Sequence, residues 1–280
     1  MSWHTFEEKV IPLDSWIQTG VDWLVENYRE FFQFIKFPVE QSVDGITWLL
    51  LAINPWVIIL AFTIITWKFA GRAITVFTIF TLILIGLLGL WSDTMTTLSM
   101  VLVSVVFCAI VGIPLGIASG RSDRMETVLR PILDTMQTTP AFVYLIPVVM
   151  LFSIGTVSGV IATIVFAMPP IVRLTNLGIR QVHPELVEAG EAFGATSMQV
   201  LIKVQIPQAW PSIMAGLNQT IMMALSMVVI AALIGAGGLG TPVFQGLNNL
   251  NIGLATIGGL GIVLLAMVLD RITQGMGQGQ

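Results

Sequence analysis

The chain has 280 residues, of which 55% are hydrophobic and only 10% are charged, whereas a soluble domain carries roughly 25% charged residues. This composition excludes a water-soluble globule and predicts an all-α integral membrane protein. The net charge of -4 is small and basic residues do not run together, which argues against nucleic-acid binding. The single cysteine, Cys108, sits in an apolar run and belongs to no metal-ligand pattern, so packing is its expected role.

Residues 1–45 are expected to form an extracytoplasmic tail that carries more acidic than basic side chains. Within residues 14–40, apolar residues recur at steps of three and four opposite a charged face, which predicts an amphipathic helix. Two placements of this helix fit the pattern. It either lies along the outer membrane surface or packs against the rest of the protein.

Seven apolar segments approach the length of about 20 residues that a helix needs to cross a membrane. In chain order they are Ile46–Trp67, Ala73–Trp91, Met95–Ala118, Ile132–Phe152, Val157–Leu174, Ile213–Ile234 and Ile252–Leu269. The fourth is interrupted by polar residues 137–139 and the fifth by Pro169-Pro170. In and just after the third, Gly112, Gly116 and Gly120 recur every four residues, a spacing that lets two helices approach closely.

The lysines and arginines predict the topology. Beyond the N-terminal tail they cluster after the first, third, fifth and seventh segments, and the other connections contain none. Because basic loops stay on the cytoplasmic side, this pattern places the N-terminus outside and the C-terminus in the cytoplasm. The expected location is therefore a bacterial inner membrane, crossed several times and in contact with the lipid bilayer.

The most informative stretch is residues 183–207, between the fifth and sixth segments. Pro184 suits the first turn of a helix, and Glu185 lies beside its positive N-terminal end. Gly194 is placed to end that helix in a left-handed turn, Thr196 or Ser197 to cap a second short helix, and Pro207 to stop it. The sequence thus predicts a helix-turn-helix on the cytoplasmic face, although an ordinary amphipathic loop has similar features.

This segment resembles the EAA loop of ABC importer permeases. Glu188-Ala189-Gly190 is followed after three residues by Gly194, then by nine residues, and then by Val204-Gln205-Ile206-Pro207, which is the spacing of that motif. In that family the loop is the coupling helix that docks onto a separate ATP-binding subunit. The resemblance therefore implies contact or turn roles for residues of the loop: Glu185, Glu188, Ala189, Gly190, Ala192, Phe193, Gly194, Ala195 and Pro207.

Longer strings resemble the permeases of glycine betaine/proline-type importers. They are Gln137–Phe142, Phe166–Thr175, Pro211–Thr220, Ala224–Ala231, Gly235–Gly240 and Leu269–Gln274. The resemblance implies a type I permease core of five transmembrane helices in residues 93–274. Residues 46–92 would then be two additional helices, and residues 275–280 a disordered tail. No binding-protein domain follows residue 274, which implies a separate extracytoplasmic substrate-binding protein.

No Gly-x-x-x-x-Gly-Lys-Ser/Thr loop occurs, so this chain is expected to hold no cofactor and no catalytic site of its own. The resemblance implies that a partner ATPase binds ATP and magnesium and that the permease pairs with a second copy of itself. No His, Cys and carboxylate cluster predicts a metal site or a membrane enzyme.

Polar residues within the predicted segments are candidates for the translocation path, because polar groups inside a membrane usually face a cavity or a partner helix. The candidates are Asp134, Gln137, Thr138, Thr139, Asn218, Gln219, Thr220 and Ser226. Hydrogen bonding between neighbouring helices is the alternative explanation for each of these residues. Two alternatives stay open at this point: a permease of the same fold for another amino acid or quaternary amine, and a secondary transporter driven by an ion gradient.

Overall fold

The computed structural model describes residues 12–278, and within this range all regular structure is helical. The first 11 residues of the predicted tail and residues 279–280 lie outside the described part. The helices are α1 Leu13–Asn27, α2 Arg29–Ala52, α3 Pro55–Phe69, α4 Arg72–Leu87, α5 Trp91–Arg121, α6 Asp123–Thr138, α7 Leu145–Phe152, α8 Thr156–Arg180, α9 Pro184–Ala192, α10 Ser197–Val200, α11 Ile206–Ala231, α12 Gly240–Asn248 and α13 Ile252–Gln278.

The count of seven spans is not confirmed. Within the described residues, four helical stretches are each long and apolar enough to cross a membrane: Trp91–Arg121, Thr156–Arg180, Ser197–Ile234 and Ile252–Gly277. Two further crossings arise only if bent pairs of helices are counted as single spans, and Arg72–Leu87 is a shorter apolar helix. The prediction of an all-helical membrane protein is confirmed, whereas two of the predicted spans are each broken into two helices.

The first of these corrections concerns Ile46–Trp67, which is not one helix. α2 ends at Ala52, and α3 leaves it at an angle of 105°. Pro55 causes the break, because it has no N–H group to donate and disfavours helical geometry in the residue before it. Asn54 then caps α3, its side-chain oxygen accepting a 3.0 Å hydrogen bond from the backbone N–H of Trp56.

The second correction concerns Ile132–Phe152, which is also broken. α6 ends at Thr138, and the chain turns by 108° into a 3-10 turn, Ala141–Tyr144, that leads into α7. Thr139 is extended, with ψ of 126°, as expected for a residue that precedes a proline, here Pro140. The mean hydropathy of these residues identifies an apolar segment, but it does not show that the helix axis changes direction within the segment.

The amphipathic stretch consists of two helices that meet at Tyr28. α2 packs against the protein: it contacts α5 and α8, and it buries Val39 and Val43. The ring of Phe32 meets that of Phe152 edge-on at 5.7 Å. α1 contacts α7 but buries no residue, so the placement against the protein is clearest for α2.

The centre of the fold is α8, which packs along both α5 and α11. The glycines of α5 allow this contact. A Cβ atom added at Gly116 would lie 2.5 Å from Cβ of Thr175 and 2.7 Å from the carbonyl oxygen of Val172, and one added at Gly112 would lie 2.5 Å from Ile171. The predicted close approach of a second helix along this glycine row is therefore confirmed.

The C-terminal segment departs from the expected disordered tail, because α13 continues as a helix to Gln278. Residues 275–278 of the predicted tail are therefore helical in the structure. Contact with the rest of the fold explains this: a Cβ atom at Gly275 would lie only 2.1 Å from the carbonyl oxygen of Phe69, at the end of α3. α13 also packs on α4, which fastens the helices of residues 55–87 to the core.

Candidate functional site

The loop between α8 and α11, residues 183–205, begins with the short helix α9. Pro184 occupies its first position, as expected, and Glu185 lies in its first turn. The helix ends in a Schellman motif: the N–H of Ala195 donates to the carbonyl of Gly190 at 3.1 Å, and that of Gly194 to the carbonyl of Glu191 at 2.9 Å. Gly194 adopts φ of +78°, a conformation that residues with a Cβ atom rarely take.

The second half of the loop begins at Thr196, which caps α10. Its side chain accepts from the N–H of Gln199, and the side chain of Gln199 accepts a 2.8 Å hydrogen bond from the N–H of Thr196. This reciprocal pair is a capping box. The predicted helix-turn-helix is therefore present up to this point.

Pro207 does not end the second helix as predicted. A π-helical turn, Leu201–Gln205, joins α10 to α11, and the N–H of Ile206 donates to the carbonyl of Leu201, five residues earlier. Pro207 falls in the first turn of α11, where the absence of an N–H is tolerated. The wider π turn lets the chain pass the proline without a break, so that residues 197–234 form one continuous helical stretch.

The surface of the loop is open. Phe193 is 93% exposed, and Glu185, Glu188, Ala189 and Ala192 are exposed as well. A groove of about 320 Å³ runs between α9 and α10, lined by Gly190, Phe193, Gly194, Ala195, Gln199, Val200, Lys203 and Val204. Gly190 keeps the two helices close, because a Cβ atom there would lie 3.3 Å from Val200. The side chain of Arg121, at the end of α5, donates to the hydroxyl of Ser197 and ties the loop to the core.

The first group of candidate path residues lies on α6. Asp134 forms an ion pair with Arg173 of α8. The hydroxyls of Thr138 and Thr139 donate to the backbone carbonyl of Thr135 at 3.1 Å and 2.8 Å. Gln137 is exposed. Asp134 thus has a partner on a neighbouring helix, whereas the other three residues surround the bend that ends α6.

The second group lies on α11. The side-chain amide of Asn218 donates to the carboxylate of Asp270 at 3.0 Å and accepts from the hydroxyl of Thr273. Gln274 donates to the same carboxylate at 2.7 Å. A cleft of about 340 Å³ opens beside this network and is lined by Asn218, Gln219 and Gln274, among others. Asn218 therefore links α11 to α13, and Gln219 faces the cleft.

The remaining two candidates on α11 differ from these. Thr220 is fully buried, and its hydroxyl has no hydrogen-bond partner. Ser226 is exposed, and its hydroxyl donates to the backbone carbonyl of Met222 at 3.0 Å. Among the described residues, no hydrogen bond joins the α6 group to the α11 group.

Sequence reasoning missed two residues that organise these groups. Arg173 and Asp270 supply the charged partners of Asp134 and Asn218, yet they lie 39 and 52 residues away in sequence. The arginine was interpreted only as a topology marker. Its position three residues after Pro170, inside an apolar segment, was the available signal that it has a partner there.

A third cluster surrounds Arg180, at the end of α8. Its guanidinium forms ion pairs with Asp123 and Glu126 of α6, both at 2.8 Å, and donates to the carbonyl of Ser119 at 3.0 Å. The start of α6 is therefore fastened to the end of α8. Residues 12–278 contain no group of three or more His, Cys, Asp or Glu side chains arranged to hold a metal ion.

The fold defines a multi-span membrane protein with a helical core and an exposed helical loop. The family model described as the inner membrane component of binding-protein-dependent transport systems matches residues 112–278, and the chain belongs to this family. The predicted membership of the ABC importer permeases is thereby confirmed.

Individual relatives agree with this assignment. The chain is 53% identical over 273 residues to the glycine betaine/proline betaine transport system permease protein ProW of Escherichia coli (strain K12), covering 98% of this chain and 77% of that protein. It is 46% identical over 268 residues to the glycine betaine/carnitine transport permease protein GbuB of Listeria monocytogenes serotype 1/2a (strain 10403S), covering 94% and 95%. Both relatives are transport permease proteins.

The fold is also similar to a solved structure of the MetNI methionine ABC transporter in an inward-facing conformation. The TM-score is 0.59 at 24% sequence identity, and the match covers 65% of this chain and 91% of the other. At this level of identity the likeness shows the fold alone. It supports the predicted ABC importer permease architecture.

Proposed function

We propose that this chain is the membrane-spanning permease of an ATP-driven, binding-protein-dependent importer of glycine betaine, proline betaine or a related compatible solute. The observation that carries the proposal is the 53% identity to a glycine betaine/proline betaine permease over 98% of the chain. Identity of this extent includes the helical loop and the core helices alike. Transport would proceed by alternating access of the core to the two sides of the membrane.

The helical loop is the proposed contact with a separate ATP-binding subunit, which would bind ATP and magnesium. Phe193 supports this role, because an apolar ring that is 93% exposed outside the spans is suited to a pocket on another protein. The exposed Glu185 and Glu188 would form the polar rim of that contact. Movement of the loop would reach the core through the continuous helical stretch 197–234 and through the contact between Arg121 and Ser197.

The remaining partners follow from the family. A substrate-binding protein would deliver solute at the extracytoplasmic face, and a second copy of this chain would complete the pore around a two-fold axis. The basic loops support an orientation with the N-terminus outside and the C-terminus in the cytoplasm of a bacterial inner membrane. The residues of the α6 and α11 groups that face open space, Gln137 and Gln219 among them, are the proposed lining of the path.

The test is uptake of radiolabelled glycine betaine into vesicles that contain this chain with its ATPase, with its binding protein supplied at the face that receives solute. Uptake should require ATP, and replacing Gly194 by valine should abolish it while the complex still assembles, because valine disfavours φ near +78°. Uptake that ignores ATP and follows an ion gradient would contradict the importer.

The relatives also suggest a second substrate, carnitine, through the 46% identity to a glycine betaine/carnitine permease. Carnitine is likewise a quaternary ammonium compound. In the same vesicles, unlabelled carnitine should compete with radiolabelled betaine if both are substrates. If the complex shows ATP-dependent activity but takes up no betaine, the importer mechanism is retained and only the proposed substrate is discarded.

A further inference from the structure

The bend between α6 and α7 lies beside the middle of α8. Tyr144, at the end of the 3-10 turn, packs its ring edge-on against that of Phe166 at a centroid distance of 5.9 Å. Phe166 lies close to the midpoint of α8, Thr156–Arg180, which is long enough to cross the membrane by itself. The bend is therefore at the depth where lipid offers no hydrogen-bonding groups.

The surface of this bend is nevertheless polar and open. Gln137 and Thr138 are exposed at the end of α6, and no hydrogen bond within the described residues satisfies the side-chain amide of Gln137. Of the last carbonyls of α6, those of Thr135 and Met136 accept hydrogen bonds from Thr139 and Tyr144, whereas those of Gln137 and Thr138 have no donor within the described residues. Such groups cannot face hydrocarbon, because lipid tails offer no hydrogen-bonding partner in place of water. This surface must face either water or protein in the assembled pore.

An exposed aromatic residue follows these polar groups in the chain. Phe142 is 58% exposed, two residues beyond Pro140 on the other side of the bend. A quaternary ammonium group cannot donate a hydrogen bond from nitrogen, and it is instead attracted to the face of an aromatic ring. The carbonyl end of α6 carries partial negative charge, which favours a cation in the same place.

The nearest acid does not compete with these groups. Asp134 lies one turn before Thr138 but is neutralised by Arg173. A full unpaired carboxylate would hold a cation tightly, whereas a ring and carbonyl dipoles hold it weakly. Weak binding suits a solute that must leave the site during each cycle.

We infer that Phe142, together with Gln137 and Thr138, forms a transient binding site for the quaternary ammonium group of the transported solute at the bend of α6 and α7. This inference rests on the proposed function, because it requires a quaternary amine as the substrate. It adds a contact within the membrane to a selectivity that would otherwise belong entirely to the binding protein.

The first experiment compares Phe142→Leu with Phe80→Leu in the complete complex of permease, ATPase and binding protein in vesicles. Phe80, on α4, is 62% exposed and provides the same change outside the site. For Phe142→Leu, betaine uptake should fall about tenfold while the ATPase activity stimulated by loaded binding protein stays within about twofold. Phe80→Leu should leave both rates within about twofold of the unaltered complex.

A second experiment isolates the attraction of the ring. Phe142 is replaced by phenylalanines that carry one, two, three or four ring fluorines, which withdraw charge from the face with little change in shape. The logarithm of the uptake rate should fall linearly with the number of fluorines. A flat series would overturn the inference, as would a leucine variant in which uptake and ATPase activity fall together.

The two proposals fail in different ways. If the unaltered complex shows ATPase activity but takes up no quaternary amine, the proposed substrate is wrong. If the unaltered complex takes up betaine and Phe142→Leu behaves like Phe80→Leu, only the site at the bend is wrong.

Discussion

The hydroxyl of Tyr144 donates a 2.6 Å hydrogen bond to the backbone carbonyl of Met136. This bond spans the bend, because Met136 belongs to the last turn of α6 and Tyr144 to the 3-10 turn that precedes α7. A carbonyl left without a partner by the end of α6 is satisfied in this way. The bond and the ring contact with Phe166 together fix the angle between the two helices.

Removing the hydroxyl with Tyr144→Phe should therefore loosen the bend. The expected loss in free energy of unfolding is about 1 kcal/mol, the usual net contribution of one such hydrogen bond. Thermal unfolding of the purified protein in detergent measures it. Tyr28→Phe is the matched control, since Tyr28 is 49% exposed and contacts Trp23 only through its ring. Equal midpoint shifts for the two variants would contradict the role of the bond.

The contact between α5 and α8 gives a second prediction. Gly116→Ala should destabilise the protein by about 1–3 kcal/mol, because the added methyl group overlaps Thr175 and the backbone of Val172 and forces the helices apart. Gly259→Ala, in α13, adds the same methyl group where no atom lies within 4 Å. That control should be neutral or slightly stabilising, since alanine favours helices over glycine. Thermal unfolding measures the stability of both variants. Comparable losses of stability in the two would contradict the tight contact between α5 and α8.

Composition and local signals predicted much of this structure. The apolar segments gave the helical membrane class, and the glycine row on α5 gave its close contact with another helix. The first half of the helical loop was equally legible, because Pro184, Gly194 and Thr196 each act through their own backbone geometry. Such features depend on a few neighbouring residues, so a single sequence contains them.

Other features depend on information that local patterns lack. The mean hydropathy of an apolar stretch does not reveal the breaks at Pro55 and Pro140, because it contains no information on the direction of the helix axis. Pro207 was assigned as a stop because the π turn that accommodates it is unusual. The partners of Asp134 and Asn218 come from distant helices, so only the folded structure could identify them.

The ion pair between Asp134 and Arg173 gives a third prediction. Both side chains are partly exposed, at 53% and 38%, so the pair should contribute only about 0.5–1 kcal/mol. A double-mutant cycle with Asp134→Asn and Arg173→Gln measures this coupling through thermal unfolding. The double variant should be more stable than the sum of the two single losses predicts.

A cycle with Lys36→Gln and Glu40→Gln provides the comparison. Those residues are one helical turn apart on α2, with their charged atoms 3.8 Å apart. Their coupling should be about 0.3–0.5 kcal/mol and easily screened by salt. If the Asp134–Arg173 coupling is no larger than zero, this pair does not help to hold α6 against α8.

The last prediction concerns Phe193, which contacts almost nothing in this chain. Because its ring is 93% exposed, Phe193→Ala should leave the thermal stability of the isolated permease unchanged. The affinity of the variant permease for the ATPase subunit should nevertheless fall about thirtyfold or more, as expected when an aromatic residue that fills a pocket in a partner is removed. Titration of the ATPase onto the permease in nanodiscs measures this affinity.

Met198→Ala is the control for that titration, since Met198 is 59% exposed on α10, in the same loop. A loss of affinity confined to Phe193→Ala would identify the ring as the anchor of the contact. Equal and small losses would mean that the contact is spread over the loop. Unchanged affinity in both variants would place the ATPase contact elsewhere on the permease. If Phe193 filled a pocket on the ATPase subunit, its removal would leave that pocket exposed to water and would lower the affinity.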